Sequence, residues 1–448
     1  MQTLSELSTG IEVWILPQTF KDTVNVALQL GVKYLWIDFL CIFQDSNEYW
    51  IQQSSIMGNV YRNGLCNLAA TGSKDGYGGL FLNRPTEPRP LTKPCYVQSS
   101  WTDVSNDYWH VYPKYLMKDY FLDGPLLNRG WVIQERIMAP RILHFGSHQL
   151  YWECYQHDAC ETYLTGLPRF KPSSPVLIAF KQRHQPLDAA SDMSKTLDLW
   201  AEIICTFSEC KLTWEEDKLV ALSGVAKAIQ KNFSGCQYLA GLWRLDLEKH
   251  LLWSIKDAKQ SDGKPSMHSK QYRAPSWPWA SVDGKVEVMI RGYYSSDPAE
   301  IKIVEVVIEP LNLDPTGQVK CGSIPVIGPL TTLSTGTKVY RKYCETLYYM
   351  KVNGQWEFCS NAFKPDVDGP PRSLHCLPVQ TLADVEPPLF ACLILQPTAL
   401  KKGEFRRWGL IELDPEKYGI QQWNHIQNDE WFEFEEHDGT GKYTITII

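Results

Sequence analysis

The stretch YLWIDFLCIFQD, Tyr34 to Asp45, decides how the rest of the chain is read. It is a near-continuous apolar run, the pattern of a strand covered on both faces. One carboxylate, Asp38, interrupts it, and Cys41 and Gln44 follow in the next turn. Sites in open α/β sheets lie at the carboxyl ends of the strands. Asp38 is therefore a candidate catalytic residue, with Cys41 and Gln44 as candidate substrate contacts. The structural alternative is that Asp38 is buried and bonds loop amides or an arginine such as Arg136, since a buried carboxylate needs partners or a proton.

Upstream of this run, TFKDTVNVALQLG reads as a helix. Thr19 is placed as N-cap with Asp22 three residues on, Phe20, Val24, Ala27 and Leu28 mark one face, and Gly31 ends it. Downstream, Trp50, Ser54, Met57 and Tyr61 recur at helical spacing, and CNLAATG reads as a short strand. Helix, strand, helix, strand is the rhythm of an α/β layer with parallel strands. Residues 82–125 read as an irregular excursion. A short helix follows in RGWVIQERIMAPR, then a hairpin in which Leu143 and Phe145 face Leu150 and Trp152 around Gly146-Ser147-His148. Helical spacing dominates from about 190 to 255, and apolar–polar alternation between turns marks an antiparallel β region after that. The expected division is an α/β domain over 1–165, a helical region over 166–270 and a β-rich region over 271–448.

The chain has 448 residues and a net charge of −7, which disfavours a binder of nucleic-acid backbones. No segment offers the roughly 18 uninterrupted apolar residues of a membrane helix. The start, MQTLSELSTG, lacks the basic and apolar regions of a secretory signal. Thirteen cysteines, scattered and odd in number, read as reduced core thiols of a cytoplasmic protein. No nucleophile elbow, phosphate-binding loop, dinucleotide fingerprint or metal-ligand spacing occurs, so no cofactor is expected. The 17 Trp and 22 Tyr provide large flat surfaces with polar tips, suited to cores and to planar ligands.

Two further clusters combine aromatics with polar groups. In Arg129–Arg141, five polar residues (Arg129, Gln134, Glu135, Arg136 and Arg141) crowd a short helix with Trp131. Glu135 and Arg136 are adjacent and cannot face one another on a helix, so each needs another partner. Gln134 and Arg136 are candidate catalytic groups and Trp131 a candidate substrate contact; the alternative is an ion-pair network docking the helix on the sheet. In YRAPSWPWASVDG, two prolines hold the backbone extended. Trp277 and Trp279 there form either a strap clamping the β region to the helices or an aromatic wall for a ligand.

Taken in order, LPQTFKDTVNVALQLGVKYLWIDFLCIFQD, the Trp50–Tyr61 segment, LAATG, GLF, RGWVIQERIMAPRILHF and LYWEC resemble the fungal heterokaryon-incompatibility (HET) domain family. DKLVALSGVA, AGLW, LLW and APSWPWASVDG look like the regions that follow this domain in many such proteins. The resemblance implies a parallel α/β fold distantly related to Toll/interleukin-receptor (TIR) domains, and roles in non-self recognition and programmed cell death. It also implies two chemistries: NAD cleavage, from the TIR kinship, and cyclisation of the Diels–Alder type, from relatives encoded among secondary-metabolite genes. The chain departs from the family in lacking an L-S-Y-x-W-G first strand, which reads as a shortened, divergent start. It also carries Gln53 where an acid often stands. An amide cannot act as a carboxylate base, so no NAD hydrolysis is expected. The leading expectation is a cofactor-independent cyclase that templates an apolar polycyclic precursor among aromatics and polarises it by hydrogen bonding. The alternatives are a cell-death effector and a non-catalytic interaction module. The oligomeric state is left open.

Overall fold

The protein is described from a computed structural model covering residues 10–43, 45–84, 95–98, 108–111, 124–167, 193–231, 233, 235–256, 266–288, 298–340, 343–352, 355–360, 364–365, 374–382, 388–414 and 432–448. The chain forms two compact units, Met1–Ala189 and Ala190–Ile448.

In the first unit, helices α1 (Gln18–Gln29), α2 (Asp38–Cys41), α3 (Asn47–Asn63) and α4 (Gly130–Met138) accompany strands β1 (Asn67–Ala69), β2 (Cys95–Gln98), β3 (Tyr108–Val111), β4 (Arg141–Phe145), β5 (Leu150–Cys154) and β6 (Asp158–Cys160). A four-stranded mixed sheet runs β1-β4-β5-β6. β1 pairs parallel to β4 with Asn67 opposite Ile142, and the other pairs are antiparallel. In the β4–β5 hairpin Leu143 faces Trp152 and Phe145 faces Leu150, the register that its alternation dictates. Within residues 82–125, read from sequence as irregular, β2 and β3 pair as an antiparallel ribbon.

The opening run is not an inner strand. Residues 33–37 belong to no strand, and Asp38 begins α2. Tyr34 is 90% exposed, and Asp38 and Cys41 are exposed too. The Asp38 carboxylate accepts a hydrogen bond from the next amide, Phe39 N, at 2.8 Å. Such local side-chain bonds compete with a ladder and favour a turn. Gln44 lies outside the described residues.

α1 departs from its expected capping. It starts at Gln18 behind Pro17, and neither Thr19 nor Asp22 caps it. Both point inward and hold the loop before Leu80. Thr19 Oγ1 accepts from Gly79 N (3.1 Å) and Asp22 Oδ2 from Leu80 N (2.8 Å). The buried face is Thr19, Asp22, Thr23, Val26 and Ala27, while Leu28 is exposed. The need to satisfy loop amides in the interior has turned the helix away from its apolar stripe.

The second unit contains helices Met193–Ser208 and Val220–Gln230 and a β-rich region dominated by a 12-stranded sheet. The core of that sheet includes Leu333, Leu374, Phe390, Ile394 and Ile411. Trp243, Trp253, Trp277 and Trp279 are fully buried. The strap read from YRAPSWPWASVDG is stitched at both ends. Trp279 Nε1 donates to Gly241 O (2.8 Å), and its ring meets Phe207 edge-on. Trp253 Nε1 donates to Trp277 O (2.8 Å), and Ser276 Oγ accepts from Arg407 N (2.9 Å). Arg407 lies over the Trp253 ring at 3.7 Å and donates to Leu251 O and Trp253 O. The strap thus clamps helices to strands, as one reading of its sequence required.

Gly241 is a tight point of this assembly. Its φ is +105°, its carbonyl accepts from both Trp200 Nε1 and Trp279 Nε1, and a Cβ there would lie 2.7 Å from Trp279 Nε1. Gly241→Ala combines a left-handed backbone with a clash. It is expected to cost about 2–4 kcal/mol, read by urea unfolding of the second unit; a loss under about 0.5 kcal/mol would contradict this packing.

Candidate functional site

The residues singled out on α4 separate by helical phase. Gln134 and Arg136 turn inward and are buried. Arg136 Nε donates to Glu153 Oε2 at 2.8 Å, and His144 Nε2 stands 3.2 Å from the same oxygen. The other ring nitrogen of His144 is 2.9 Å from Thr71 Oγ1. This Arg136–Glu153–His144–Thr71 network lies wholly in the interior, each member at most 2% exposed. It joins α4 to β4, β5 and the end of β1, and it does so out of reach of a substrate. Arg136 therefore bonds Glu153 and not Asp38, the partner offered by the sequence.

One residue out of phase with these, Glu135 is half-buried at the rim. It accepts a hydrogen bond from the hydroxyl of Tyr61, carried by α3, which packs on α4. Burial, reinforced by the nearby Asp38 carboxylate, lifts the Glu135 acid from its usual 4.5 to about 7, against the pull of Arg129 and of the Tyr61 bond. Burial, with Glu135 and Asp38 close by, pushes the Tyr61 hydroxyl well above its ordinary value. Asp38 and Arg129 are both exposed. A carboxyl half-protonated near neutral pH can give or take a proton, and such shifts cluster at functional sites. Aromatic pairs lie on the same elements. Trp36 meets Tyr61 edge-on at 5.7 Å, Phe39 lies 6.2 Å from Phe20, and Trp50 meets Trp131 edge-on at 6.4 Å.

Of the residues proposed from sequence, the structure brings Asp38 close enough to act on Glu135, and places Trp131 half-buried one turn before it on α4. Cys41 lies exposed at the end of α2. Trp277 and Trp279 belong to the core of the second unit. Glu135 and Tyr61 were visible in the sequence but not chosen. The available signal was phase: with Arg136 committed inward, the adjacent carboxylate had to face another way.

Among the described residues no three or more His, Cys, Asp or Glu are placed to hold a metal ion. No helix among them is long and apolar enough to cross a membrane. No disulfide joins the described cysteines.

No curated protein and no solved structure matches the chain. A family model does. Residues 2–135, the stretch that carries Asp38, Tyr61, Arg129 and Glu135, match the family described as "Heterokaryon incompatibility protein (HET)". Over this stretch the chain is similar to the HET domain.

Proposed function

We propose that the chain is a heterokaryon-incompatibility effector whose HET domain performs acid–base chemistry at Glu135. The observation that carries this reading is the pairing of Glu135, with its proton held to about pH 7, and the exposed carboxylate of Asp38. Two carboxyls in unlike environments divide the roles of acid and base. In the proposed mechanism Glu135 donates a proton to a leaving or carbonyl oxygen, Tyr61 orients its carboxyl, and Arg129 attracts negative charge on the ligand. The rings of Trp36 and Phe39 favour a ligand with a planar or apolar part. A distant TIR-like ancestry of the fold belongs to the same reading.

Induced expression in a fungal host tests the effector role. Wild-type protein is expected to lower colony-forming units about 10-fold or more, and Glu135→Gln to abolish the effect at equal protein level. Equal killing by both would remove Glu135 from the mechanism, and no killing by either would remove the effector role. Gln53 on α3 supplies no carboxylate, so purified protein is expected to release no more nicotinamide from NAD than a heat-killed control. Release above that control would make NAD the substrate.

A second reading, a cyclase of secondary metabolism, draws on the same centre. A protonated Glu135 among aromatic rings is suited to polarise the conjugated carbonyl of an apolar polycyclic precursor. Growth unaffected by expression, together with turnover of such a precursor that Glu135→Gln abolishes, would favour it.

A further inference from the structure

Within the large sheet of the second unit, a run of strands closes on itself: β7 (Thr331–Tyr340), β8 (Tyr343–Val352), β9 (Gln355–Ser360), β10 (Lys364–Pro365), β11 (Leu374–Leu382), β12 (Leu389–Pro397) and β13 (Glu404–Leu413). They pair in the order β13-β12-β11-β7-β8-β9. β9 leads into β10, which pairs with β13 at Lys364 opposite Leu410, and β9 itself touches β13. The path thus returns to its first strand, as in a barrel. The pleat separates two faces. On the outer face His375 meets Phe405, and Arg407 lies over the Trp253 ring. On the inner face Leu333, Leu374, Phe390, Ile394 and Ile411 form one cluster, each at most 3% exposed.

A row of directly paired residues crosses this inner face: Thr331, Cys376, Ile394 and Gly409. Thr331, fully buried, stands at one end. At the other, a register shift between Ile394 and Leu395 turns Trp408 onto the same cluster. Thr331 Oγ1 and Trp408 Nε1 are both closed off from solvent, and neither meets a hydrogen-bond partner among the described residues. Native interiors rarely keep such donors unpaired. A water would need about two to four polar partners. The described residues of this face are otherwise apolar, apart from the thiols of Cys376 and Cys392. An apolar molecule with an acceptor oxygen meets both conditions.

We propose that this barrel binds a small apolar molecule carrying a ketone or ether oxygen, which accepts a hydrogen bond from Trp408 Nε1. Thr331 Oγ1 serves a second oxygen in ligands long enough to reach it. Trp408, the partly buried member of the face, marks the side on which the site meets solvent. The site lies outside residues 2–135 and does not depend on the acid at Glu135.

Two probes of the same shape test this on the full chain: acetophenone, and α-methylstyrene, in which a methylene replaces the ketone oxygen. By ligand-observed NMR the wild type is expected to bind acetophenone with a Kd below about 1 mM, within reach of so small a ligand. The indole N–H resonance of Trp408 should move downfield as the ketone is added, a readout that needs no variant. Trp408→Phe keeps a ring and removes the donor. It should weaken acetophenone about 3–10-fold, the range of one hydrogen bond, and α-methylstyrene less than about twofold. An unchanged Tm shows that the variant folds. A wild type that binds no acetophenone at about 10 mM would overturn the proposal. So would an indole resonance that stays in place, or a folded variant that weakens both probes alike or neither.

Discussion

Glu135→Gln is expected to stabilise the N-terminal unit at pH 8 by about 1–3 kcal/mol and to change it little at pH 5. The sign follows from proton binding. Folding raises the Glu135 acid from 4.5 to about 7, so the folded chain holds a proton that the unfolded chain has released. The stability tied to that proton is complete below about pH 4.5 and is lost as pH rises through about 7. At pH 8 the wild type carries a half-buried ionised carboxylate next to Asp38. Gln keeps an acceptor for the Tyr61 hydroxyl without the charge. Urea unfolding of the full chain at pH 5, 6.5 and 8, following the first unit, checks this. A variant less stable than wild type at pH 8 would mean that Glu135 is ionised there at no cost.

Arg136→Met is expected to be among the most damaging substitutions in the first unit, at about 3–5 kcal/mol. It removes the 2.8 Å bond to Glu153, a carboxylate with no exposed surface. Glu153→Leu should be costly for the complementary reason, as it takes the carboxylate away from a buried guanidinium. Removing both charges, as Arg136→Met with Glu153→Leu, should cost less than the sum of the two single changes. The reason is that the desolvation of each ion is the larger part of the cost. Thermal melting of the four proteins measures the coupling, and additive losses would show that the two residues act independently.

These expectations separate what the sequence could show from what it could not. The β4–β5 hairpin was legible because alternation of apolar residues around a turn fixes both strand and register. The strap around Trp277 and Trp279 was legible as a clamp, since prolines fix its path. Its use as a ligand wall was not decidable, because the same large rings fill cores and line pockets. The opening run misled because apolar content reports a strand's composition and not whether a neighbour pairs with it. One local bond, from Phe39 N to the Asp38 carboxylate, was enough to turn the chain into α2. On α1, Thr19 and Asp22 had the spacing of a capping box, but loop amides at Gly79 and Leu80 competed for them and won. At the candidate site, sequence drew attention to the right helix and the wrong face. Polar residues at 134, 135 and 136 look equivalent in a string, and only packing against β4 and β5 shows which of them are interior.

The acid at Glu135 is the centre of the functional proposal, and its titration is open to direct measurement. Infrared difference spectra between wild type and Glu135→Gln isolate the stretching band of one protonated carboxyl. The band is expected to persist through pH 6 and to fall with a midpoint near 7, following the value of about 7 for this group. A band already gone by pH 5.5 would show an ordinary surface glutamate and would contradict the acid–base role assigned to this site.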